Sequence, residues 1–171
     1  MFEMEIFMSS ANVTASREKF GGQMSEGEML FCRQLRERLR TVIEGRDDFH
    51  LAMVNLLLDL QEIRKNRSDV DVALESGWQP NIARPVPQMR ALASDSERAV
   101  LEDMDGLIDY AMRNGLGFQS VFSTLWHDVG MLRFYKWSLE DAQKDETFHL
   151  RVAGWAKRNV AIVGEPDAEK E

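Results

Sequence analysis

The sequence lacks the features that mark secreted and membrane proteins. Its 171 residues include a single cysteine, Cys32, so no intramolecular disulfide can form, and this favours a reducing compartment. The longest apolar run, residues 51–58, is interrupted by Asn55 and is too short to span a bilayer. Residues 1–10 have no basic segment and do not match a secretory signal. The sequence therefore predicts a soluble, cytoplasmic protein.

Positive charge is also scarce. The chain has 21 Lys and Arg residues against 29 Asp and Glu residues, which gives a formal net charge of −8. Nucleic-acid binding needs a basic surface, so the charge balance argues against that class of partner. Hydrophobic residues make up 44% of the chain, which is enough for one core. We expect a protein partner, a second copy of the chain included.

Apolar residues recur at helical spacing in five segments, which predicts an all-α bundle of about five helices. Ser25 and Glu28 have the spacing of a capping box at the start of the first helix, and Gly45 can end that helix in a left-handed conformation. The second helix is apolar on two sides, so we expect it to be the most buried. Leu57 and Leu60 are its predicted core residues.

Prolines are concentrated between the second and third helices, where residues 68–95 hold three of the four in the chain. This segment is predicted to be a long loop, since proline removes amide donors. Asp95 or Ser96 can cap the third helix. The fifth helix is predicted to run from Ser138 to about Asn159. The predicted organisation is a flexible arm over residues 1–24, one helical domain over 25–160 and a disordered tail over 161–171.

Residues 126–130 (WHDVG) resemble the central motif of the HD-domain metal phosphohydrolases, which are all-helical. The resemblance implies that His127 and Asp128 bind a metal together with an upstream His and a downstream Asp. His50 and Asp141 are the candidates for those two positions. Residue 131 is Met, where the family often has Lys.

A second pattern, Glu146 followed by His149, has the Glu-x-x-His spacing of di-iron carboxylate bundles. Helical geometry argues against both metal patterns, because His127 falls on the polar face of its helix beside Ser120 and Ser123. That position favours a surface histidine next to a solvated aspartate. We therefore predict no cofactor and favour no metal site. The alternative metal set consists of His50, His127, Asp128 and His149.

Aromatic side chains crowd the last two predicted helices, and one bundle face cannot bury them all. Exposed aromatic surface is typical of protein interfaces, although such residues also line pockets for apolar ligands. The predicted interface residues are Trp78, Trp126, Phe134, Tyr135 and Trp137.

Charge is segregated, with arginines on the first helix and carboxylates on the third. This pattern suits solvated faces, or docking between helices of one chain or of two copies. Cys32 lies on an apolar stripe and is predicted to be an inert, buried thiol. The favoured hypothesis is a non-enzymatic helical interaction or regulatory module that self-associates. The alternatives are a metal-dependent, HD-like hydrolase and a binder of an apolar small molecule or cofactor.

Overall fold

The computed structural model describes residues 24–84 and 91–150, and this part of the chain is an all-helical bundle, as predicted. The α-helices of the described part are α1 (Glu26–Ile43), α2 (Phe49–Lys65), α3 (Val70–Glu75), α4 (Asp95–Asn114), α5 (Phe118–Phe134) and α6 (Leu139–Gln143). Helix α1 packs on α4, and α2 packs on α5. Among the described helices, none is long and apolar enough to cross a membrane. The predicted tail and all of the predicted arm except Met24 lie outside the described residues.

The predicted ends of α1 are confirmed. The Ser25 hydroxyl accepts the backbone N–H of Glu28, and the Glu28 carboxylate accepts the backbone N–H of Ser25, which together form a capping box. Gly45 follows the helix with a φ of +81°, a conformation that glycine adopts without steric cost. Helix α4 starts one residue earlier than predicted, because Ser94 is its cap.

Helix α2 lies at the centre of the bundle. Leu57 and Leu60 are buried, as predicted. The neighbouring Leu58 points outward and remains 45% exposed. Leu57 and Leu58 are adjacent in the sequence, but the first is buried in the core and the second faces solvent.

Ion pairs join α1 to its neighbours. Arg36 binds Asp105 and Asp109 of α4, at 2.7 and 3.0 Å, so the segregated charges dock two helices of the same chain. The expectation of solvated faces is wrong for Arg38. This side chain is buried and pairs with buried Asp47, because the connection after α1 folds over the helix surface.

Helices α1 and α3 approach closely at Gly27. A methyl group at this position would overlap the Asp71 carboxylate and crowd Leu74. Asp71 also accepts the Ser25 hydroxyl at 2.6 Å. The absence of a side chain at residue 27 therefore sets how near α3 comes to the first turn of α1.

The connection between α3 and α4 is partly folded, although the sequence predicts an extended loop. Asn81–Ala83 form a 3-10 turn. The buried carboxylate of Asp59 accepts the backbone N–H groups of Asn81 and Ile82, at 2.7 and 2.9 Å, and the indole N–H of Trp78. Burial raises the pKa of Asp59, and these hydrogen bonds oppose the rise. Residues 85–90 of the predicted loop lie outside the described residues.

The prediction of a long final helix is wrong over the described residues. Helix α6 begins at the predicted cap, Ser138, but ends at Gln143. Two residues later, the Asp145 carboxylate accepts the backbone N–H and the hydroxyl of Thr147, at 2.9 and 2.7 Å. This local turn competes with continuation of the helix.

Candidate functional site

The structure brings together three of the four residues in the alternative metal set. His127 Nδ1 lies 2.8 Å from Asp128 Oδ1, and His149 Nδ1 lies 3.2 Å from the same oxygen. The two imidazole rings are 4.8 Å apart between centroids. These three residues form the histidine–aspartate cluster.

The expectation that Asp128 is solvated is wrong, because this side chain is only 1% exposed. Its Oδ2 accepts the backbone N–H groups of His149 and Leu150, at 3.0 and 2.6 Å. Phe148 and Leu150 are buried on either side of His149. The carboxylate therefore fastens residues 148–150 to α5.

The sequence carried a signal for the burial of Asp128. Asp128 follows Leu125 by three residues and precedes Leu132 by four, so it lies on the apolar stripe of α5. The next residue, His127, was predicted to lie on the polar face as a surface histidine, and its imidazole is partly exposed. The alternative metal set grouped His149 with His127, but helical periodicity did not support that grouping, because residue 149 was expected to lie within a long helix.

The other ligands implied by the HD-domain resemblance do not join the cluster. His50 lies on α2 with its ring against Trp137, 5.3 Å between centroids. Asp141 is exposed in the first turn of α6. Within the described residues, the group of potential metal ligands at this place consists of His127, Asp128 and His149.

Two of the predicted interface residues are packed within the bundle. The Trp78 ring lies 5.8 Å from Phe31, between centroids, and Trp126 stacks on Phe122 at 6.0 Å. The guanidinium of Arg64 covers the Trp126 ring at 4.8 Å. Both tryptophans are half-buried, so each contributes to the fold as well as to the surface.

The other three predicted interface residues meet where α5 turns into α6, and we call residues 134–137 the aromatic corner. Phe134 is 74% exposed, the largest exposed fraction among the large apolar side chains of the described residues. Tyr135 lies edge-on to Phe134, at 5.0 Å, and donates its hydroxyl to Asp145 at 2.9 Å. Trp137 is half-buried against His50.

The backbone of the aromatic corner is left-handed at two residues, as it also is after α2 at Arg67 and Ser68. Lys136 and Trp137 both have positive φ, +56° and +67°. The backbone N–H of Lys136 donates to the carbonyl oxygen of Arg133, and the backbone N–H of Trp137 donates to that of Leu132. This is the hydrogen-bond pattern of a Schellman motif. This motif usually has glycine at the first left-handed position, where a side chain costs about 1–2 kcal/mol. The corner therefore keeps a lysine in a place that favours glycine.

Two further candidates for chemistry fit a structural role better. Cys32 is fully buried, as predicted, and burial raises the pKa of its thiol to about 12. A surface depression beside Trp78 includes Leu58, but Glu62 and Lys65 also line it. The two charged side chains suit an apolar ligand poorly.

Comparisons of the chain with models of protein families, with curated proteins and with solved structures find no match, so its function has to be inferred from its own geometry.

Proposed function

We propose that this chain is a non-enzymatic protein–protein interaction module that self-associates through the aromatic corner. The observation that carries the proposal is the exposure of Phe134, 74%, beside the partly exposed rings of Tyr135 and Trp137. Aromatic side chains are enriched at the centres of protein interfaces.

The charge around the corner indicates the chemistry of the partner surface. Arg133 and Lys136 are exposed on either side of Phe134 and Tyr135, and the Asp145 carboxylate lies beside Tyr135, so the corner presents charges of both signs. Helix α4 exposes Asp95 and Glu102 to solvent. A second copy can therefore supply carboxylates that pair with Arg133 and Lys136.

The buried polar groups support a role without catalysis. Asp59 and Asp128 accept hydrogen bonds from segments that connect or follow helices, and Asp47, in the connection after α1, accepts one from Arg38 of that helix. A buried carboxylate with such hydrogen bonds holds neighbouring parts of the chain in place, which is a structural role. The acidic balance supports a protein partner over nucleic acid, and the lone buried thiol of Cys32 suits a cytoplasmic location.

Sedimentation velocity over a concentration series tests the proposal. We expect reversible association that weakens with added salt, because Arg133 and Lys136 would pair with carboxylates of the second copy. Phe134→Ala should weaken association without unfolding the chain. Leu92→Ala is the matched control, since Leu92 is 66% exposed but lies before α4, outside the corner.

A monomer at high micromolar concentration would exclude self-association. Equal weakening by the two variants would exclude the corner as the contact. In either case circular dichroism of each variant must match that of the native chain, so that a loss of association cannot be attributed to unfolding.

A further inference from the structure

We propose that the histidine–aspartate cluster binds one divalent transition-metal ion of the zinc class, held by His127 Nδ1, Asp128 Oδ1 and His149 Nδ1. The three ligand atoms come from α5 and from the segment after α6, and all lie within 4.8 Å of one another. This site shares no residue with the aromatic corner, so it goes beyond the interaction role and can be tested separately.

Two of the three distances between ligand atoms are close to those around a small tetrahedral ion. Zinc binds imidazole nitrogen at about 2.0–2.1 Å, which places neighbouring ligand atoms of a tetrahedron about 3.3 Å apart. His149 Nδ1 lies 3.2 Å from Asp128 Oδ1, and His127 Nδ1 lies 2.8 Å from it. The His149 distance already matches the tetrahedral spacing. The His127 distance would have to lengthen by about 0.5 Å to reach it.

The protein orients the carboxylate for this role. The backbone N–H of Leu150 donates to Oδ2 at 2.6 Å, and that of His149 is shared between Oδ2 and Oδ1, at 3.0 and 3.1 Å, while Oδ1 also faces both imidazoles. Such outer hydrogen bonds fix the direction of metal ligands and tune their basicity. The side chain of Asp128 is buried, so the central ligand is held rigidly, while the two histidines are partly exposed and give an ion access from solvent.

The kinds of ligand select the class of ion. Two imidazoles and one carboxylate suit zinc, cobalt, nickel and copper, whereas magnesium and calcium prefer oxygen ligands alone. Solvent exposure of the histidines leaves room for water at a fourth position.

Metal binding would have a structural consequence. Asp128 already joins α5 to residues 149 and 150 through backbone hydrogen bonds. An ion bound by His127 and His149 would add a second link between the same elements. Because the ligands come together only in the folded chain, the ion should stabilise the fold, and the gain should grow with the logarithm of its concentration above the dissociation constant.

The test uses untagged full-length protein that has been treated with a chelator and dialysed. Titration with Co²⁺ should produce the visible absorption of a tetrahedral cobalt complex, and Zn²⁺ should displace it. Calorimetry should give one ion per chain. We expect His127→Ala and His149→Ala each to weaken binding by about tenfold or more. His50→Ala is the control and should bind as the native chain does.

The melting temperature provides a second measurement that does not depend on spectroscopy. Added zinc should raise it in the native chain and in His50→Ala, but not in His127→Ala or His149→Ala. Equal affinity in all four proteins would overturn the proposal, as would one ion for every two chains, which indicates surface histidines of separate copies. Association of the His127 and His149 variants, measured without metal, should equal that of the native chain, which separates this proposal from the interaction role.

Discussion

Asp59 and Ile82 are 23 positions apart in the chain, and the carboxylate of Asp59 accepts the backbone N–H of Ile82 at 2.9 Å. Asp128 and Leu150 have the same relationship over 22 positions, at 2.6 Å. In both cases a buried carboxylate on a long helix accepts amide hydrogens from a segment with little helix of its own. The structure therefore uses aspartates to fasten connecting segments to the core.

The first prediction concerns Asp59. Asp59→Ala should lower the free energy of unfolding by at least about 2–3 kcal/mol, because it leaves buried amide groups without acceptors. Asp59→Asn should lose less, since an amide oxygen still accepts and the buried charge is gone. Urea denaturation at neutral pH measures both. Glu62→Ala on the same helix is the control, and a loss as large as that of Asp59→Ala would contradict the role of the buried carboxylate.

The second prediction compares two leucines of α2. Leu60 is fully buried, so Leu60→Ala should cost about 2–5 kcal/mol. Leu58 is 45% exposed, and Leu58→Ala should cost about 0.5 kcal/mol or less. Both substitutions remove the same atoms from one helix, so chemical denaturation isolates the effect of burial. Similar losses for the two variants would refute the orientation of α2.

The third prediction concerns left-handed backbone. Gly45 has a φ of +81°, so Gly45→Ala should destabilise the chain by about 1–2 kcal/mol. Lys136 has a φ of +56°, and Lys136→Gly should stabilise the chain by up to about 1 kcal/mol. Thermal unfolding measures whether each variant is less stable or more stable than the native chain. If the aromatic corner is the contact, Lys136→Gly should also weaken association, because it removes a positive charge from that surface.

The fourth prediction concerns alkaline pH. Burial raises the pKa of Cys32 from 9.0 to about 12, so above pH 9 the unfolded chain loses a proton that the folded chain retains. The stability contributed by this group is complete below pH 9 and is lost as the pH rises toward 12, by about 1 kcal/mol per pH unit. Cys32→Ala removes the effect. The native chain should therefore lose stability relative to this variant between pH 9 and pH 11, and parallel curves would contradict the prediction.

Helix positions and helix ends could be predicted because they depend on neighbouring residues. The capping box of Ser25 and Glu28 needs only a spacing of three, and the burial of Leu60 follows from helical periodicity. Phe134 could be assigned to an exposed surface because the last helices contain more aromatic rings than one bundle face can cover. Each of these inferences uses information from a few turns of one helix.

The buried carboxylates were missed because a charged residue is expected to face water. Asp59 follows Leu56 by three residues and precedes Ile63 by four, which is the position that Asp128 has between Leu125 and Leu132. The pattern places both side chains on apolar stripes. Their backbone donors lie more than 20 residues away, however, and periodicity gives no information about such distant partners. For the same reason periodicity could not support the alternative metal set, in which His149 was grouped with His127.

The contact at Gly27 gives this fold a signature that can be read in other sequences. Helices α1 and α3 meet where a methyl group would overlap the Asp71 carboxylate. The residue at position 71 therefore limits which side chains fit at position 27, and the residue at position 27 limits those at position 71. A diverged sequence with the same bundle should keep glycine at position 27, or combine a larger residue there with a smaller one at position 71. Such paired replacement could reveal distant relatives whose overall similarity has been lost.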